Sequence, residues 1–171
     1  MNDELEFIGP MPKKMVIRVV QRNVARRAKA GEFLEKAAAL YATEMDSTVV
    51  MDSEAIAPWF RAEIGFAATE RFAAIFLDNG HRVLDRIVFE EGSVTRCVLY
   101  PRKVFEAAFK CNAAGVILSH NHPGGNLKPS SNDRDLTRRI QQLGESLECT
   151  LIDHIIVTRE GHASFRRHGW I

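Results

Sequence analysis

The sequence has only three cysteines, Cys97, Cys111 and Cys149, and no two of them make a local Cys-x-x-Cys pair. That odd, scattered set excludes a disulfide framework and a cysteine-built zinc knuckle, and each cysteine reads as a small buried hydrophobe. No apolar run approaches the ~20 residues that a membrane-spanning helix needs. The opening residues Met1 to Glu6 are acidic, without the basic start and apolar middle of a signal peptide, so the expected location is cytoplasmic. Charge of one sign is also missing. Lys+Arg number 23 and Asp+Glu 22, a formal net charge of +1. Such balance gives no global pull toward nucleic acid or an anionic membrane. A local basic cluster, Arg18, Arg22, Arg26, Arg27 and Lys29, reads as a solvated helix face. Nucleic acid is thus left open as a partner, without support from net charge. Internal repeats and low-complexity tracts are absent.

What remains is an ordinary globular chain of 171 residues, 46% hydrophobic and 26% charged, enough for one domain with a short appendage. Residues up to Lys14, with Pro10 and Pro12, read as a loose arm, and Met15 to Val20 as a strand or extended segment. From Asn23 to Thr43, Ala30, Phe33, Leu34, Ala37, Leu40 and Tyr41 recur at helical spacing. A second helix, capped by Asp52 or Ser53, carries Ile56, Trp59, Phe60 and Ile64 and ends at Gly65. The period then shortens. Arg71 to Leu77 fits a buried strand, Asp78-Asn79-Gly80-His81 supplies turn chemistry, and Arg82 to Glu90 returns as a hairpin. A helix over Arg102 to Cys111 follows Pro101, then a buried strand over Ala114 to Ser119 and a Gly/Pro-rich loop to Asn132. Asp133 to Leu147 is expected as a helix, and Thr150 to Thr158 and Ala163 to Phe165 as the last strands. This interleaving predicts an α/β (α+β) class, a mixed sheet flanked by helices with an N-terminal helical extension. The expected division is an arm and helix over residues 1–50 and the main domain over 51–171. The helices ahead of Gly65 are expected as an attachment to the sheet.

The chemistry concentrates between Ser119 and Asp133. His120 and His122, two apart at the end of an apolar strand, project to the same side if the chain stays extended. Asp133 opens a helix after a loop able to fold back on the pair. Two imidazoles and a carboxylate are a common ligand set for catalytic zinc, and three protein ligands leave the fourth tetrahedral position for water. Zinc lowers that water's pKa toward ~7. The competing readings are a polar turn for the histidines and a helix-start residue for Asp133.

His120-x-His122, seven further residues and Ser130-x-x-Asp133 match the JAMM (MPN+) metalloprotease motif. The wider phrase His120-Asn121-His122-Pro123-x-Gly125 with Pro129-Ser130 resembles the bacterial RadC family. So do Glu70-Arg71-Phe72, Phe76-Leu77-Asp78, Pro101-Arg102 and Asp153-His154-Ile155-Ile156. The resemblance covers about residues 50–171. It implies a JAB/MPN fold of cytidine-deaminase-like type and one zinc ion on His120, His122 and Asp133. It also implies Ser130 as a hydrogen-bond donor to the oxyanion, with a helix N-cap as its alternative role. A glutamate on an early strand serves such sites as base; Glu70 is the candidate, with Glu90 and Glu91 as rivals. Gly124 stands where the family usually has Ser. The first fifty residues lack the helix-hairpin-helix module of longer RadC proteins, so the chain resembles the short form.

The resemblance implies a zinc hydrolase, a metallopeptidase or isopeptidase with a peptide or protein substrate. The alternatives are a DNA-repair-associated protein and a non-catalytic MPN interaction module. Ser119 is either a supporting residue for the ligands or a plain strand-end serine. Asp153 and His154 either support the site or form a structural polar pair, and the pair is the favoured reading. His81, His162 and His168 are expected in solvent. No membrane partner is expected.

Overall fold

The computed structural model describes Lys36, Val50 and residues 52–89 and 99–171. The expected arm, the strand and helix before residue 44, Cys97, Glu90 and Glu91 lie outside the described residues. A 3-10 turn over Ser53–Ile56 leads into α1, Ala57–Glu63. Next come β1 (Phe72–Leu77) and β2 (Val83–Phe89), then α2 (Pro101–Lys110) and β3 (Gly115–Asn121). The chain closes with α3 (Ser131–Ser146), β4 (Thr150–Val157) and β5 (His162–Ser164). The strands form one sheet in the order β2-β1-β3-β4-β5, with β3 and β4 parallel and every other pair antiparallel. No helix among the described residues is long and apolar enough to cross a membrane.

The β1–β2 hairpin turns where the sequence supplies the means. The Asp78 carboxylate accepts from the backbone N–H groups of Gly80 and Arg82 at 2.7 and 2.9 Å, and His81 takes the left-handed φ of 59°. Pro101 occupies the first turn of α2, where its missing N–H costs nothing.

Strand alternation sorts the core onto two faces. Ala73, Ile75 and Leu77 of β1 pack with Ile56, Ala57, Trp59, Phe60 and Ile64 on one side. Phe72, Ala74 and Phe76 pack on the other with Val104, Phe105 and Ala108 of α2 and Ile140 of α3. Phe60 and Phe76 are fully buried; side chains of this kind stabilise by ~1.5–3 kcal/mol each. The helix expected as an attachment ahead of Gly65 is therefore one wall of the core. Its apolar stripe needs a sheet face to cover it, and β1, β3 and β4 provide one. Ser53 does not cap it: the Ser53 hydroxyl donates to the Asp153 carboxylate at 2.6 Å. Cys149 is buried and Cys111 half-buried, both unbridged, as small hydrophobes.

One irregularity matters for the site. The β3–β4 register slips between Val116, which faces Leu151, and Ile117, which faces Asp153. The extra residue, Ile152, resets the alternation of β4. Leu151 and His154 thereby share the face covered by α2 and α3, while Asp153 turns to the α1 side.

Candidate metal centre

The site lies where β3 ends and α3 begins, at the carboxyl end of the parallel β3–β4 pair. β3 runs two residues further than the sequence suggests, to Asn121. His120 sits inside the strand, fully buried and stacked on Phe72 at 5.2 Å between ring centroids. His122 follows just past the strand end. A turn closed by Gly125 N–H donating to His122 C=O at 3.0 Å then reverses the chain. Pro123 fits its second position and Gly125, at φ 80°, the left-handed exit. The loop so formed brings the Asn126 carbonyl to the Nδ1 of His122, which donates to it at 2.5 Å.

The structure puts Asp133 in the first turn of α3, three residues inside the N-cap rather than at the helix start. Ser130 is the N-cap. Its hydroxyl accepts from Asp133 N–H at 3.2 Å, and the Asp133 carboxylate accepts from Ser130 N–H at 2.7 Å. This reciprocal capping box satisfies two orphan donors and aims the carboxylate at the histidines. The cap uses a lone pair of the Ser130 hydroxyl, which leaves its proton free to donate elsewhere.

The Nε2 atoms of His120 and His122 lie 3.0 Å apart, and each lies 3.4 Å from an Asp133 oxygen. Glu70 completes the group: one ligand atom from each of Glu70, His120, His122 and Asp133 lies within 4.8 Å of all the others. Bonds of 2.0–2.1 Å to a tetrahedral zinc would put ligand atoms ~3.3 Å apart. The observed 3.0 and 3.4 Å separations match that edge. The donor set fits a metal ion on chemical grounds too, because converging lone pairs repel unless a cation sits among them.

Electrostatics agree. The Asp133 carboxylate beside His122 raises that imidazole above its ordinary 6.5; burial opposes the shift, and the Asn126 carbonyl and the Glu70 charge reinforce it. Burial pushes the Asp133 carboxyl up, but the His120 and His122 imidazoles beside it and its bonding with Ser130 outweigh burial and hold the group far below the usual carboxylate range. Burial holds the His154 imidazole well below its usual value.

Glu70 lies on the approach to β1. Its position is set by Asn121, fully buried at the end of β3. The Asn121 side-chain oxygen accepts from Arg71 N–H at 2.6 Å and its amide donates to the Thr69 carbonyl at 3.1 Å. The backbone on both sides of Glu70 is thus clamped to the strand that carries the histidines. In the sequence, Asn121 is marked only by its place between the two histidines of the His120-Asn121-His122-Pro123 phrase.

Ser119 points away from the site, its hydroxyl donating to the Ile155 carbonyl at 2.7 Å, so it pins β3 to β4. Asp153 and His154 do not pair through their side chains, against expectation. Neighbours on a strand face opposite ways. Asp153 accepts from Ser53, Ser164 and the Arg166 N–H on the α1 side. His154 instead reaches the site, its Nε2 at 2.8 Å from His120 Nδ1. His168 is not simply solvated: it stacks on Trp170 at 4.6 Å.

A sequence model of the RadC-like JAB domain matches residues 50–170. A UPF0758 protein of Burkholderia cenocepacia is 36% identical over 148 residues, covering 86% of this chain and 58% of that protein. One from Thermosynechococcus vestitus is 41% identical over 118 residues, covering 68% of this chain and 47% of that protein. One from Finegoldia magna is 36% identical over 123 residues, covering 72% and 55% respectively. The chain thus spans about half the length of the curated relatives it matches.

Proposed function

The chain belongs to the family of RadC-like JAB domains, and from that premise we propose that it is a zinc-dependent hydrolase of the JAMM type, a metallopeptidase or isopeptidase. The observation that carries the reading is the convergence of His120, His122 and Asp133 at tetrahedral spacing with Glu70 beside them. His120 and His122 would hold the ion through Nε2, and Asp133 through its carboxylate. Zinc bound there supplies a Lewis acid and lowers the pKa of water toward ~7.

The chain's own groups supply the rest. Glu70 takes a proton from the attacking water and delivers it to the leaving nitrogen. Ser130, already held by its cap, donates its hydroxyl proton to the oxyanion. Asn121 keeps Glu70 in place through the backbone. A peptide or protein partner and a cytoplasmic location belong to the same proposal.

The test is a peptide and isopeptide cleavage screen on the zinc-loaded chain, run beside Glu70→Gln and His120→Ala. Stoichiometric zinc lost in His120→Ala, and cleavage lost in Glu70→Gln with zinc retained, would support the reading. Cleavage by Glu70→Gln at the wild-type rate would remove Glu70 as base. Zinc-binding wild type that cleaves nothing in the screen would favour a non-catalytic module.

A further inference from the structure

Behind His120 runs a file of buried polar groups that the hydrolytic reading leaves unused. It starts on α3 at the Asp133 carbonyl, which can only accept a hydrogen bond. The Thr137 hydroxyl, one turn along the helix, lies 2.5 Å from it and must hold its proton between the two oxygens. That hydroxyl proton is then spent. The 2.7 Å contact between Thr137 Oγ1 and His154 Nδ1 needs a proton from the imidazole, so His154 carries its hydrogen on Nδ1. His154 is fully buried, where a single-proton, uncharged ring is favoured. Its Nε2 is therefore bare and accepts from His120 Nδ1 at 2.8 Å. His120, carrying its hydrogen on Nδ1, presents a bare Nε2 to His122 and Asp133.

We propose that Thr137 and His154 are positioning residues that set the tautomer of His120, so that an Nε2 lone pair rather than an N–H faces the metal centre. The file closes on itself, because Asp133 anchors one end through its carbonyl and meets the other through its carboxylate. Its direction is fixed by a single main-chain acceptor. Without the Thr137 hydroxyl, His154 loses the acceptor for its Nδ1–H. Its proton then moves to Nε2 and donates to His120 Nδ1, which drives the His120 proton onto Nε2 and blocks a ligand position. The consequence for metal affinity rests on the zinc reading above; the tautomer does not.

Long-range proton–nitrogen NMR on the 15N-histidine-labelled, zinc-free full chain reads the tautomers directly. His120 and His154 are each expected with a protonated Nδ1 and a bare Nε2. Chelator competition then gives zinc affinity for wild type, Thr137→Val and Thr137→Ser. The near-isosteric valine should lower affinity ~10- to 100-fold, the usual loss for a supporting residue of this kind, and should shift the His120 proton toward Nε2. Serine should restore both. Wild-type His120 with its proton on Nε2 would overturn the inference, as would a valine variant with wild-type tautomer and affinity. If wild type binds no zinc, the hydrolase reading falls while the NMR result still decides this one. If the valine variant fails to fold, the wild-type spectrum alone decides it.

Discussion

Asn121→Ala removes the clamp on Glu70 while leaving every proposed metal ligand in place. Two backbone groups lose their bonds to Asn121: the Arg71 N–H, now bonded at 2.6 Å, and the Thr69 carbonyl, bonded at 3.1 Å. Both residues are exposed, so the loss is the net contribution of each hydrogen bond, ~0.5–1.5 kcal/mol, and the pair costs about 1–3 kcal/mol. For a domain of this size ~1 kcal/mol shifts the melting temperature by ~2–4 °C, which puts the expected drop at roughly 2–12 °C. The effect on chemistry should be larger than the effect on the fold, because a displacement of ~1 Å at a catalytic group can cost about 100-fold. Asn121→Asp sharpens the test. One aspartate oxygen still accepts from Arg71 N–H, but the other faces the Thr69 carbonyl with no proton between them, so the clamp is half broken without loss of volume. Calorimetry, zinc stoichiometry and cleavage rate at equal zinc loading should be measured together on wild type and both variants. Loss of rate with full zinc content is expected for both. Either variant melting and cleaving like wild type would refute the claim that Asn121 holds Glu70.

Gly144→Ala should destabilise the chain despite alanine's intrinsic helix preference of ~1 kcal/mol. The added Cβ would sit 2.4 Å from the Cys149 carbonyl, and the surrounding backbone is tied by Cys149 N–H and Leu147 N–H donating to Gly144 C=O at 2.9 and 3.2 Å. Chemical denaturation should register a net loss of ~1–3 kcal/mol; a gain would show that the helix end moves aside freely. Zinc stabilisation should grow with pH. His122, raised above 6.5 by Asp133, stabilises the ion-free protein below about pH 6.5, and that contribution is lost as pH rises through the raised value. Zinc needs the same nitrogen unprotonated, so affinity should climb about tenfold per pH unit for that proton until His122 is deprotonated. The gap between zinc-loaded and zinc-free melting temperatures, followed from pH 5.5 to 8, is the readout, and a gap that narrows with rising pH would sink it. Asp133 works the other way: its depressed value supports the ion-free fold above 3.8 and that support is lost as pH falls below it.

Most of the sheet and helices could be read from local pattern, because the signals are short-range. The apolar run before Asp78, the turn at Asp78-Asn79-Gly80 and Pro101 each act within a few residues, and from β1 onward the described elements fall within one or two residues of expectation. The grouping of His120 and His122 with Asp133 was also legible, since strand alternation and a reversing Gly/Pro loop are local rules. What was not legible depends on registration between distant segments. The bulge at Ile152 flips His154 onto the face of His120, and no residue type announces it. Reading Asp153 and His154 as a pair followed from their adjacency in sequence, whereas strand geometry sends them to opposite sides of the sheet. Nor does any local signal announce the clamp made by Asn121: its partners, Thr69 and Arg71, are some fifty residues away.

The candidate ligands are held by devices that also serve the fold. His120 is a buried strand residue stacked on Phe72. Asp133 completes a capping box that the helix needs whether or not an ion is present. His122 is tied to its own loop through Asn126. A site assembled this way is preorganised, so binding an ion does not have to bear the cost of ordering the chain, in contrast to small domains that fold only around their metal. The ion-free protein should therefore keep its sheet, and under the proposed function removing zinc should abolish chemistry well before it unfolds the domain. The strain left in the ion-free state is electrostatic, two imidazoles and a carboxylate converging on one point, and a shared proton on His122 relieves it. On the proposed reading, metal and proton compete for one position, and that competition, more than folding, sets when the site is loaded.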